Sequence, residues 1–136
     1  MTELPKGHSF PREMRILKSG EYRHVFEAAC FKVHGKGLLA LACPNQCGHA
    51  RVGLVFSRKN ARRAVDRNLL KRLTRESIRL RQHRLPALDI VVLSRRGVTE
   101  LDRDTLGQQL SGMWRRLEKD ALKRAEATRG HAATTV

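Results

Sequence analysis

Apolar residues fall in short blocks separated by polar stretches, and the spacing inside each block predicts an element. Residues 1–17 are polar and broken by Pro5 and Pro11, which predicts an extended arm. Behind Ser19, a suitable N-cap, Tyr22, Val25, Phe26 and Ala29 recur at helical spacing and predict a first helix over about 19–29. Two apolar runs, 31–34 and 37–42, read as strands on either side of Gly35-Lys36. The stretch 43–48 is rich in turn residues, and RVGLVF at 51–56 follows as a third strand, expected to form a hairpin with the second. From Ser57 to Arg84 the chain reads as one long helix, which must end near Leu85 because Pro86 disfavours helix at the residue before it. DIVVL at 89–93 is a continuously apolar strand of the buried kind. A last helix opens at Thr99 or Asp102, with Leu106, Leu110, Met113 and Leu117 at steps of three and four. Residues 125–136 have no period and predict a disordered tail.

The order is α-β-β-β-α-β-α, an α/β chain of the α+β type. It predicts a two-layer sandwich with a central sheet, in which the long helix connects strands three and four. Residues 18–124 are expected to form one domain.

Charge changes the picture. Lys and Arg number 28 against 13 Asp and Glu, for a formal charge of +15 and a pI near 11.2. That balance is the electrostatic footprint of a nucleic-acid binder. No apolar run approaches the ~20 residues of a membrane span, and the first residues lack the apolar core of a secretory signal. Three cysteines make no even framework, so a reducing, cytoplasmic setting is expected.

The cations concentrate on the long helix. Arg63, Arg67, Lys71, Arg75 and Arg79 recur every fourth residue, and only Asp66 and Glu76 interrupt them. Like charges at this spacing repel by roughly a few tenths of a kcal/mol per pair, so such a row suits a polyanion. An ordinary solvated face mixes signs, and this one does not. A helical wheel places Val65, Leu69, Leu73 and Leu80 on the packing arc, with Leu70 toward its edge.

Other chemistry is poorly supplied. Cys43, Cys47 and His49 offer three zinc ligands in one loop without a second pair, and a turn with free thiols accounts for them. A protein-only nuclease needs clustered carboxylates. Only Asp89, Asp102 and Asp104 stand near strand ends, and the last two suit a helix start. No catalytic residue and no metal ligand is assigned.

KNARRAVDRNLLKRLTRE at 59–76 closely resembles the signature of the bacterial ribonuclease P protein subunit. FPREMRILKSGEYRHVF at 10–26 and LPALDIVVLSRRGV at 85–98 are similar to that family's first segment and its last strand and loop. The resemblance covers about residues 10–118. One position departs: the family's Arg-Asn-Arg core reads Arg67-Asn68-Leu69.

The resemblance implies a ribonucleoprotein endonuclease whose RNA subunit removes the 5′ leader of precursor tRNA, with the protein assisting. It implies that Arg62, Arg63, Arg67, Asn68, Lys71, Arg72 and Arg75 dock on the catalytic RNA. It further implies a leader cleft using Tyr22 and Phe26 to stack on unpaired bases and Arg58 and Lys59 to hold phosphates. Core packing accounts equally well for the spacing of Tyr22 and Phe26, while Phe31 and Phe56 are read as core. No tightly bound cofactor is expected on the protein. Magnesium is expected with the RNA, and the protein as a monomer in a 1:1 complex. Two other readings are a ribosomal-type RNA-binding protein with no role in cleavage and a duplex DNA regulator. The second is disfavoured because a strand, not a helix-turn-helix spacing, precedes the basic helix.

Overall fold

The computed structural model describes residues 19–45, 48–81 and 84–134, with side chains as far as residue 125. The elements are α1 (Ser19–Ala28), β1 (Phe31–Gly35), β2 (Leu38–Pro44), β3 (Arg51–Val55), α2 (Ala64–Arg79), β4 (Leu88–Ser94) and α3 (Arg103–Thr134), with a 3-10 turn at Val98–Glu100. The α+β class and the α-β-β-β-α-β-α order are those expected from the sequence. The arm at 1–17 lies outside the described residues. None of the described helices is long and apolar enough to cross a membrane.

The sheet has the order β1-β2-β4-β3. β1 and β2 form a hairpin whose turn holds Gly37 at φ 70, where a Cβ would lie 2.6 Å from the Val98 backbone. The expected β2–β3 hairpin does not form. β2 gives its second edge to β4, antiparallel, and β3 joins the far side of β4 as a parallel partner, with Arg51 beside Asp89. β4 therefore lies between the two strands. The connection at 45–50 has only to cross about two strand spacings, roughly 10 Å, well within its reach. A parallel pair needs a long crossover, and α2 supplies it. β4 is central and covered on both faces, hence its unbroken apolar run.

α2 and α3 cover one face. Phe31, Val33, Ala40, Val52, Ile90 and Val92 pack there against Leu70, Ile78, Leu110, Trp114 and Leu117. Phe31 and Phe56 are both buried, as expected. The indole Nε1 of Trp114 donates to Ser77 Oγ at 2.8 Å, and Arg81 pairs with Glu118 at 2.9 Å, joining α2 to α3. α1 covers the other face, where Val25 packs with Leu41, Cys43 and Val91. α3 opens at Asp102, whose carboxylate accepts the Thr105 N–H at 2.7 Å. Hydrogen bonds from the backbone and side chain of Thr105 hold that carboxyl below its ordinary range. At its other end α3 continues to Thr134, through a stretch with no apolar period.

Candidate nucleic-acid interface

The expected helix at 57–84 is shorter, because 57–63 is a folded loop and α2 ends at Arg79. Hydrogen bonds across the sheet hold that loop. The Ser57 N–H donates to Ser94 Oγ at 3.0 Å, Asn60 Nδ2 donates to the Ser94 carbonyl at 3.0 Å, and Ala61 is buried. Arg67 reaches back from the first turn of α2 and donates from Nη1 to the carbonyls of Ala61 and Arg62, at 3.0 and 2.9 Å. The loop is thus pinned from both ends, and it presents Arg58, Lys59, Arg62 and Arg63 to solvent.

This arrangement corrects the row of five cations. Arg63 is the N-cap residue and makes no side-chain cap. Its contact with Asp66, 3.8 Å and largely exposed, contributes little. Arg67 is occupied by the loop. Asn68 and Arg72 are exposed, while Lys71, Arg75 and Arg79 are half-buried. The packing stripe is also displaced: Leu70, Thr74 and Ile78 are buried, whereas Val65 and Leu80 are exposed. Thr74 made the stripe hard to see. Its hydroxyl donates to the Leu70 carbonyl at 2.7 Å, so a polar residue sits there without an unmet hydrogen bond. Val65 and Leu80 stand at the two ends of α2, outside the cover of the sheet and α3. Leu69 is half-buried and lines a pocket of about 70 Å³ with Val98, Leu101 and Leu106. A leucine at this position therefore faces apolar neighbours.

The two predicted aromatics separate. Phe26 is 46% exposed and is not a core residue. Tyr22 is half-buried and lies on β3 over Gly53, where an added Cβ would be 2.5 Å from its ring. A glycine is needed at that strand position for the ring to approach the backbone. Both aromatics are on α1, on the sheet face opposite α2. Arg58 and Lys59 stand just beyond the end of β3.

A buried ionic network, missed by sequence reasoning, holds α1 to the sheet. Arg51 donates to both oxygens of Asp89, at 2.8 and 2.7 Å, and from Nη1 to Glu21 of α1 at 2.8 Å. Asn45 Nδ2 donates to Asp89 as well, at 2.8 Å. Hydrogen bonding, to Asp89 above all, raises the Arg51 pKa against an opposing effect of burial. Arg51 and Asp89 each stand alone near the start of an apolar strand, a signal that becomes readable only once β3 and β4 are known to be parallel neighbours.

Among the described residues no group of three or more His, Cys, Asp and Glu is placed to hold a metal. Cys43 is buried beneath α1, and burial, then Asp89 and Cys30, raises its thiol pKa against an opposing effect of Arg51. Cys47 lies outside the described residues. His49 approaches the carbonyl of Ala50 through Nδ1 at 3.1 Å. Asp89 is occupied by Arg51 and Asn45, and Asp102 caps α3. Asp89 lacks the open access that a general base needs, whereas Asp102 is exposed and serves as the cap of α3.

The sequence pattern of the family described as Ribonuclease P matches residues 10–118. A ribonuclease P protein component from Chromohalobacter salexigens is 66% identical over 119 residues, covering 88% of this chain and 93% of that protein. One from Marinobacter nauticus is 48% identical over 114 residues, covering 84% and 86%. Among solved structures, the RNase P protein of Staphylococcus aureus superposes with a TM-score of 0.68 at 25% identity, covering 73% of this chain and 90% of that one. That of Thermotoga maritima gives 0.67 at 27% identity, covering 75% and 96%. The chain therefore belongs to the ribonuclease P protein family, the protein component of a ribonucleoprotein endoribonuclease of tRNA processing.

Proposed function

We propose that this chain uses the two sides of its sheet for two RNA partners. The α2 side, with the Arg62 and Arg63 end of the pinned loop, docks on ribonuclease P RNA. Arg62, Arg63, Asn68 and Arg72 make the outer contacts, and Lys71 and Arg75 make contacts along the flank of the helix. Arg67 contributes by fixing the loop carbonyls and thereby aiming Arg62 and Arg63. Guanidinium forks suit bidentate phosphate contacts, and the sequence favours Arg over Lys here. The α1 side holds the single-stranded 5′ leader of precursor tRNA. Phe26 and the accessible edge of Tyr22 stack on bases without regard to sequence, while Arg58 and Lys59 take leader phosphates.

The observation that carries this reading is the separation itself. Exposed cations gather around the start of α2, and exposed aromatic surface gathers on α1 across the sheet. The hydrolytic chemistry, in this reading, belongs to the RNA subunit. Magnesium would be held by RNA phosphates rather than by this chain, and would supply activation of the attacking water. The protein assists as a monomer in a 1:1 complex.

The test is equilibrium binding of precursor and mature tRNA to ribonuclease P RNA, with and without the protein. The protein should tighten the precursor more than the mature form. Equal changes for both would remove the leader role. Tight RNA binding with no effect on either would favour a ribosomal-type binding protein.

A further inference from the structure

α3 is longer than the domain needs. Its packing stripe runs through Leu106, Leu110, Met113, Trp114 and Leu117 and fades at Ala121, which is only partly buried. Arg124 lies five turns beyond Leu106, on the same azimuth by the period of 3.6 residues, yet it is exposed. Leu122 is 56% exposed. The helix has outrun the sheet at this point, and it continues roughly 25 Å past Leu117 to Thr134 at 1.5 Å per residue.

The outer face of this helix carries a second cationic row. Arg115, Lys119 and Lys123 stand at successive four-residue steps and are all exposed. Neighbouring cations have acidic partners: Arg116 pairs with Asp120 at 3.1 Å, and Arg81 with Glu118 at 2.9 Å. Among the described residues, Arg115, Lys119, Lys123 and Arg124 make no ion pair. The acids between Arg115 and Lys123, Glu118 and Asp120, are thus committed to other cations, and within that stretch the row is left as like charge. A groove of about 670 Å³ between the helices is lined by Leu73 and Glu76 of α2, by Leu80 just beyond it, and by Gln108, Ser111 and Arg115 of α3, so the row begins at the groove while Lys119 and Lys123 lie outside it. The family pattern ends at residue 118, so Lys119 and Lys123 lie beyond what it covers.

We propose that the outer face of α3, marked by Arg115, Lys119 and Lys123, is a second RNA-binding surface that grips the phosphate backbone of a structured RNA. This rests on the reading above, which supplies ribonuclease P RNA as that RNA. Four residues of helix rise about 6 Å, so long cationic side chains at each step reach successive phosphates. A membrane surface is a poorer match. An interfacial helix needs a broad apolar face, and Leu122 is the one large exposed apolar residue on the described part of α3.

The test uses the full chain carrying R115Q, K119Q and K123Q together, titrated against ribonuclease P RNA at several salt concentrations. Losing three phosphate contacts should weaken binding at least about tenfold and reduce the slope of log affinity against log salt by roughly two to three. The charge-keeping set R115K, K119R and K123R should restore both. The thermal midpoint should not move, because all three side chains are exposed. Unchanged affinity and slope in the glutamine set would overturn the proposal. A parallel variant with K71Q and R72Q separates the two claims. If it weakens binding while the α3 set does not, only the α3 surface falls. If the intact chain fails to bind the RNA, both fall.

Discussion

Replacing Arg51 with methionine tests the buried network that fixes α1 on the sheet. The guanidinium side chain is 18% exposed and the Asp89 carboxylate 6%, and they meet at 2.7 Å. Methionine fills much of the same volume but leaves Asp89 buried with only Asn45 as a donor. Removing one partner of such a pair typically costs about 3–5 kcal/mol, because the other charge stays uncompensated. A domain of this size is stable by roughly 5–15 kcal/mol, so R51M should be folded but markedly weakened. The outer arm of the network contributes less. The Glu21 carboxylate is 27% exposed, and E21Q keeps a hydrogen-bond acceptor, so about 1 kcal/mol is expected. Replacing both buried partners, R51M with D89L, removes the stranded charge and should recover at least half of the loss. Urea denaturation followed by the fluorescence of the single tryptophan measures all three. The reasoning is refuted if R51M costs no more than E21Q, or if the double variant is as weak as R51M alone.

Ser77→Ala removes the acceptor of the buried Trp114 indole and should cost about 1–3 kcal/mol in the same urea assay; an unmoved midpoint would count against that bond. Gly53→Ala places a methyl 2.5 Å from the Tyr22 ring and should cost roughly 1–3 kcal/mol. Because the ring is displaced, the preference for precursor over mature tRNA should also shrink, and a normal preference would show that Tyr22 is not part of the leader surface. Cys43 has a raised pKa and is buried, so alkylation with peptide mapping should label Cys30 well before Cys43. The sign for stability follows: the unfolded chain ionises this thiol first, so its contribution is present below the ordinary thiol pKa and is lost as pH rises past it. Equal labelling of Cys30 and Cys43 in the folded protein would contradict the burial.

Much of the fold was legible because its elements obey a single period. Tyr22 to Ala29, Leu106 to Leu117 and the unbroken DIVVL run each carry their own signal, and each forms the expected element. Strand pairing was not legible, since turn residues after β2 mark a reversal without saying which edge is still free. The loop at 57–63 reads as helix because it contains no Gly or Pro. Bonds to Ser94 and from Arg67, distant or reversed in sequence, give it its shape. The phase of α2 was displaced because Thr74 carries a hydroxyl on the buried stripe. Of the site, the concentration of charge was visible at once. The distinction between Arg67, turned inward, and Arg62 or Arg72, turned outward, was not, because the same residue type serves both ends.

Cleavage of precursor tRNA by ribonuclease P RNA at low magnesium, with and without this chain, tests the central claim most directly. The account predicts stimulation with a long leader, and a much smaller effect once the leader is trimmed to a single nucleotide. No stimulation, or stimulation indifferent to the leader, would contradict it.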